Sequence, residues 1–348
     1  MLRNCKLFLW AAAACIAWAG PVDFGKEEFQ RALAERKLPT QKYRLQTEVS
    51  TDAPESFRIV GARISGGDVR GLMYGLLEAT EQIRTKGRLA AVKASAAVRI
   101  RGVRLLVQAE DLSGEWFYSQ AYWDEIFATL ARSRFNRLNL VFGEHAVLSP
   151  RTASAVRVIA QTAAGYAVDL AVSLGPGALT TGAPEVKSLL VTSPAIRSVQ
   201  WSRGGPNNPS MWLPDVLLGA FLQSGRRVTV EFPSEEVTPD LLAKVAESDV
   251  PWRISEKYTG GQAKTSVPAG TEVLWEVEPP SAEDRDNPAF VRGVLQDLIK
   301  AGVTGLEIDG PLPVTSEANR LFYLLWGRLS YDPKTPAGVW EAKAVKKP

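Results

Sequence analysis

The sequence predicts a (β/α)8 TIM-like barrel with an irregular sixth helix, preceded by a small α+β domain. Two observations carry this. From Ile100 onward, eight short apolar runs alternate with stretches of helical spacing, the order that a closed parallel barrel requires. At 348 residues, 45% hydrophobic and 23% charged, the chain is also long and apolar enough to bury a sizeable core. An open doubly wound sheet would alternate in the same way, but no strand here leads into a phosphate-binding glycine pattern. Gly66, Gly67 and Gly71 match neither GxGxxG nor a Walker loop.

Residues 1–19 read as a secretory signal peptide: Arg3 and Lys6, an apolar run from Leu7 to Trp18, and Ala17-Trp18-Ala19 as a small-x-small cleavage site. Export to the periplasm or beyond is the expectation. The apolar run is shorter than the roughly 20 residues that cross a bilayer, and no later segment is longer, so no membrane span is expected.

Residues 20–97 form the predicted small domain. Its elements are a helix over 26–36, strands over 42–49 and 56–64, and a turn over 64–68. A helix over 69–84 follows, with Leu72, Leu76, Leu77 and Ile83 on one face. Residues 89–97 read as a connector.

The barrel is predicted over 98–335, with a tail over 336–348. Its strands fall at 102–107, 136–142, 168–174, 196–202, 227–232, 252–258, 272–278 and 303–309. Helices are expected at 122–134, 153–164, 184–191, 211–223, 239–247, 288–301 and 316–329. The sixth helix is missing because 259–271 is rich in Gly, Thr and Lys and reads as a loop.

Composition removes whole classes of function. Lys and Arg total 41 against 38 Asp and Glu, a formal charge of +3, and two of the cations lie in the leader. That is too near neutral for a nucleic-acid binder. The single histidine, His145, excludes HExxH and multi-histidine metal schemes. Both cysteines, Cys5 and Cys15, lie in the leader, so thiol and disulfide chemistry is absent from the body. No metal or organic cofactor is implied. Carboxylates, Lys, Arg, Tyr and Trp remain.

Strand parity then selects candidates, because alternate residues point into a barrel and the site forms at the C-terminal strand ends. Val228, Val230 and Phe232 form an outward set, which turns Thr229 and Glu231 inward. Val273, Trp275 and Val277 do the same for Glu276 and Glu278, and Leu306 and Ile308 for Glu307 and Asp309. Asn139, Gln200, Ser202 and Lys257 line the interior by the same rule. Glycoside hydrolysis needs two carboxyl groups, roughly 5 to 5.5 Å apart for retention or about 6.5 to 9.5 Å for inversion. Glu276 and Asp309 are the first candidate pair, with Glu231 and Glu307 as substitutes. The competing reading makes these acids an ion-pair layer with Lys257, Arg104 and Arg227.

Trp201, Tyr258, Trp116 and Trp212 sit at strand ends or in the following loops, where flat rings stack on sugars. His145, beside Glu144, is placed to meet a hydroxyl or carboxylate. Arg203, with Lys257, suits a sugar carboxylate, which a guanidinium grips in bidentate fashion.

Several stretches carry a family resemblance. They are Glu55 to Ile59, Gly71 to Glu78 and Glu81 to Arg84 in the small domain. In the barrel they are Ile100 to Val103, Trp123 to Phe127, Arg132 to Leu140, Ala195 to Gln200 and Phe322 to Asp332. Together they resemble α-glucuronidases and bacterial β-hexosaminidases, in which a small α+β domain precedes the catalytic barrel. The resemblance implies a carbohydrate substrate and a helical C-terminal domain, which the residues after Asp332 are too few to supply. It also implies a general acid in a Ser-Glu-Gly loop after the fourth barrel strand. This sequence has Ser202-Arg203-Gly204 there, and an arginine donates no proton at working pH. Two functions therefore stand open: an exported glycoside hydrolase acting on polysaccharide or oligosaccharide through paired carboxylates, or a non-catalytic glycan-binding barrel that has lost its general acid.

Overall fold

The computed structural model describes residues 20–175, 183–201, 225, 228–247, 250–260, 271–278 and 281–336. The leader, Ser202, Arg203, Trp212, Arg227, the helix expected at 211–223 and most of the 259–271 loop lie outside the described residues, as does nearly all of the tail.

In the small domain, the helix Pro21–Glu35 begins with proline at its first turn, where the missing N–H is no loss. It lies along the helix Val69–Lys86, which Asp68 caps by accepting from the Gly71 N–H at 2.6 Å. Strands β1 (Gln46–Val49), β2 (Phe57–Val60), β3 (Arg63–Gly66) and β4 (Val92–Ala94) form one sheet in the order β1-β3-β2-β4. The single strand expected at 56–64 is thus a hairpin. Gly61 takes φ +59 at its turn, a conformation open to glycine, and the buried parity shifts from Phe57 and Ile59 before it to Ile64 after it. The expected connector supplies β4, which pairs with β2.

The barrel strands are β5 (Ile100–Val107), β6 (Arg137–Phe142), β7 (Asp169–Leu174), β8 (Ile196–Trp201), β9 (Thr229–Pro233), β10 (Trp252–Tyr258), β11 (Val273–Val277) and β12 (Gly305–Asp309). They pair in sequence order, all in parallel, and β12 closes onto β5 through Gly305 opposite Ile100. The helices Gln120–Ser133, Pro150–Gly165, Ala183–Thr192, Pro239–Glu247, Pro288–Lys300 and Glu317–Tyr331 intervene. Val103, Leu105, Val107, Val230, Trp275 and Ile308 are buried in the layer between strands and helices. That leaves the opposite parity to the lumen. No helix among the described residues is long and apolar enough to cross a membrane.

The small domain is welded to the N-terminal end of the barrel strands. Glu55 meets Arg70 at 2.7 Å, the fully buried Arg101 of β5, and the Asn136 side chain at 2.8 Å. Arg134 lies over the rings of Phe57, Tyr74 and Tyr331. The opposite, C-terminal end of the strands is the mouth.

Candidate functional site

The lumen is filled by polar layers. Deepest is Arg137 of β6, which donates to Glu231 at 2.5 Å, to the Ser198 hydroxyl at 2.5 Å, and to Glu307. Arg253 pairs with the other oxygen of Glu231 at 3.1 Å. Glu231 and Glu307 are completely buried. Burial pushes the Glu307 carboxyl up against the pull of Arg137, and the Glu231 charge adds to the push. The two glutamates offered as substitute catalysts therefore lie beneath the mouth as an ion-pair layer. Its arginines are Arg137 and Arg253, which the sequence reading did not single out. Parity held the signal for both, since Arg137 alternates with Asn139 and Arg253 with Ser255.

Above this lies an amide layer. Asn139 is fully buried and donates to Gln200 at 2.8 Å and Glu307 at 3.0 Å, so it joins layers and does not line the mouth. The Ser173 hydroxyl lies 2.9 Å from the Asn139 amide oxygen and 2.6 Å from that of Gln200, and donates to one of them. Gln200 donates in turn to Glu276 at 2.7 Å and Ser255 at 2.9 Å.

The top layer is where chemistry becomes accessible. Arg104 of β5 donates through Nη1 to Glu276, and its Nε lies 3.6 Å from Oδ1 of Asp309. Both oxygens of Glu276 thus accept hydrogen bonds, one from Arg104 and one from Gln200. Asp309 is different: its side chain is 51% exposed. Burial of its inner part pushes the carboxyl above the ordinary aspartate range. Arg104 pulls the other way, and Glu276 and Glu278 add to the upward push. Glu276 and Asp309 therefore share the guanidinium of Arg104 at the mouth.

Lys257 is exposed on the lumen parity, opposite Glu276 in the register, and its charge opposes the rise at Asp309. Glu278 is exposed one residue beyond β11. His145 is exposed in the loop after β6. Tyr258 is a correction. Its ring packs edge-on against Trp275 and its hydroxyl donates to Asp297 at 3.3 Å, which places it on the outer wall of the barrel. The parity that turns Lys257 inward turns its neighbour outward. Trp116 likewise packs among Phe117, Tyr122 and Trp123. Trp201 ends β8, opposite Leu174. Among the described residues, no group of three or more His, Cys, Asp and Glu side chains is placed to hold a metal ion.

The fold has counterparts of known structure. A GH138 enzyme targeting pectin rhamnogalacturonan II superposes with a TM-score of 0.69 over 90% of this chain at 14% identity. CpGH84B superposes with a TM-score of 0.50 over 92% of this chain at 15% identity. The chain spans 50% of the length of the first and 68% of the second. No protein-family model and no curated protein matches the sequence. At such identities the likeness establishes a fold held by glycoside hydrolases and leaves activity to be argued from the site.

Proposed function

We propose that this chain is an exported glycoside hydrolase that acts at the barrel mouth on a polysaccharide or oligosaccharide. The observation that carries it is the asymmetry of two carboxyl groups on one arginine. Glu276 is held with both oxygens accepting, and Asp309 is half exposed with its proton retained above the usual range. Exposure and hydrogen bonding assign the roles: the half-exposed acid can reach a leaving group, and the acid bonded at both oxygens is held in place. Asp309 donates a proton to the departing glycosidic oxygen as its bond to the anomeric carbon breaks, the Glu276 carboxylate faces the positive charge that develops on the sugar ring, and water adds its oxygen to that carbon and releases the proton that restores the acid. Arg104 fixes the distance between them, and Lys257 and His145 are placed at the rim for hydroxyl or carboxylate groups. Export rests on the leader of residues 1–19, and the glycoside hydrolases that share the fold support the substrate class.

A second reading rests on the same arginine. If Arg104 holds Glu276 permanently neutralised, the mouth binds glycan without cleaving it. Release of aryl leaving groups from a panel of aryl glycosides and uronides, measured for the native chain and for Asp309→Asn, separates the two. Turnover in the native chain that falls in the variant supports the hydrolase. Oligosaccharide binding with no turnover on any substrate overturns it in favour of the binder.

A further inference from the structure

We infer a second glycan-binding site on the outer rim of the barrel, which takes an anionic sugar unit of a polysaccharide chain. The inference deepens the proposed function and rests on it only for the word polysaccharide. The site is a groove of about 390 Å³ between the N-terminal halves of the helices Gln120–Ser133 and Pro150–Gly165. Both halves follow directly from the loops after β5 and β6, so the groove opens at the same end of the barrel as the mouth.

Its chemistry is mixed in the way sugar sites are. Phe117, Trp123 and Ile159 make a buried apolar floor, while Gln120 and Ser154 offer an amide and a hydroxyl at the sides. The cation is Arg151. Its guanidinium carbon lies 3.8 Å from the centre of the Tyr118 ring, a cation–π distance. That ring is itself fixed, because the Tyr118 hydroxyl donates to the Leu112 carbonyl at 2.9 Å. Arg151 has no ion pair and no hydrogen bond to any described residue, and the groove lining contains no carboxylate.

An arginine seated over an aromatic ring gives up rotamer freedom in advance, so it loses less on gripping an oxyanion. Its five donors match a carboxylate or a sulfate in bidentate geometry. A free phosphate or small acid would need the fork alone. The apolar floor beside it fits the CH face of a ring, which points to an anionic sugar. A chain whose end occupies the mouth would pass over the rim and lay a later unit here.

The test uses the full chain in affinity electrophoresis through gels containing polygalacturonate, dextran sulfate or neutral dextran, with galacturonate monomer as competitor. Retardation by an anionic polymer and not by dextran is expected, and which of the two retards more assigns carboxylate or sulfate. Arg151→Leu should weaken that binding at least tenfold, and Val158→Trp, which fills the groove, should do the same. Asp309→Asn should leave it unchanged, with melting temperatures confirming that each variant is folded. Equal retardation by dextran, or native binding in both Arg151→Leu and Val158→Trp, overturns the inference. Absence of glycoside turnover with groove binding intact overturns only the hydrolase.

Discussion

Arg104 and Asp309 face each other across neighbouring strands β5 and β12, with Nε 3.6 Å from Oδ1. The contact is long enough to leave Asp309 half solvated and close enough to orient it. Proton transfer at the mouth depends on this pair, since the other carboxyl partner of Arg104, Glu276, is hydrogen-bonded at both oxygens.

Asp309→Asn should sharply lower turnover on alkyl glycosides with little change in fold. A general acid contributes roughly a hundred- to ten-thousand-fold to rate, and a half-exposed aspartate held by one long ion pair contributes little to stability. Rates on an activated aryl glycoside, whose leaving group needs no proton, should fall less than rates on an alkyl glycoside. Equal losses on both would remove Asp309 from the acid role.

The pH dependence has a definite sign. The folded Asp309 carboxyl titrates above its unfolded value, about 3.9 for a free aspartate. Its protonated form, and any turnover that needs it, is therefore present at low pH and lost as pH rises through the folded value. The alkaline limb of kcat/KM should accordingly move down in pH when Glu278 is changed to Gln, because that carboxylate adds to the push. A limb that stays in place in Glu278→Gln would contradict this assignment.

Stability at acid pH should depend on Glu55. Burial alone would raise its carboxyl, but Arg101, Arg70 and the Asn136 amide outweigh burial and hold it below the usual glutamate range. Its contribution is then present above about pH 4.3 and lost as pH falls through the lowered folded value. Melting temperature plotted from pH 7 down to pH 2 should fall steeply at the acid end for the native chain. It should fall less for Glu55→Gln, which starts lower because Arg101 is left buried without its counter-charge.

Arg137→Met should be among the most damaging single changes in the barrel. It leaves Glu231 and Glu307 facing each other in a sealed lumen, and breaking a buried pair from one side costs about 3–5 kcal/mol. Urea unfolding midpoints report it. A loss under about 1 kcal/mol would mean that water reaches this layer.

Gly327→Ala tests the packing of the last helix. A Cβ built there would sit 2.1 Å from the Ser133 carbonyl oxygen, so the helices Glu317–Tyr331 and Gln120–Ser133 must part. Overpacking of this kind costs about 1–3 kcal/mol, read as a lower melting temperature.

The barrel was legible because its signals are local and repeated: eight apolar runs, a helix after most of them, and alternation that turns Glu276 and Asp309 to the lumen and Trp275 and Ile308 to the helices. Strand ends at Trp252, Tyr258 and Ile196 coincide with the pattern in the chain. The small sheet was less legible. Its hairpin turns at Gly61 between two strands of four residues each, too short for the shift of parity from Ile59 to Ile64 to stand out, and β4 is shorter still. At the mouth, alternation names which side chains point inward but not how high each stands in the lumen. Height follows from the stagger between parallel strands, which sets Glu307 beside Gly102 and Glu276 beside Lys257. That stagger, a property of the closed sheet and of no single segment, buried Glu231 and Glu307 against Arg137 with Asn139 above them, and left Asp309 open to water. The chain alone determined which residues share the lumen. Only closure of the sheet decided which of them meet an arginine and which meet solvent.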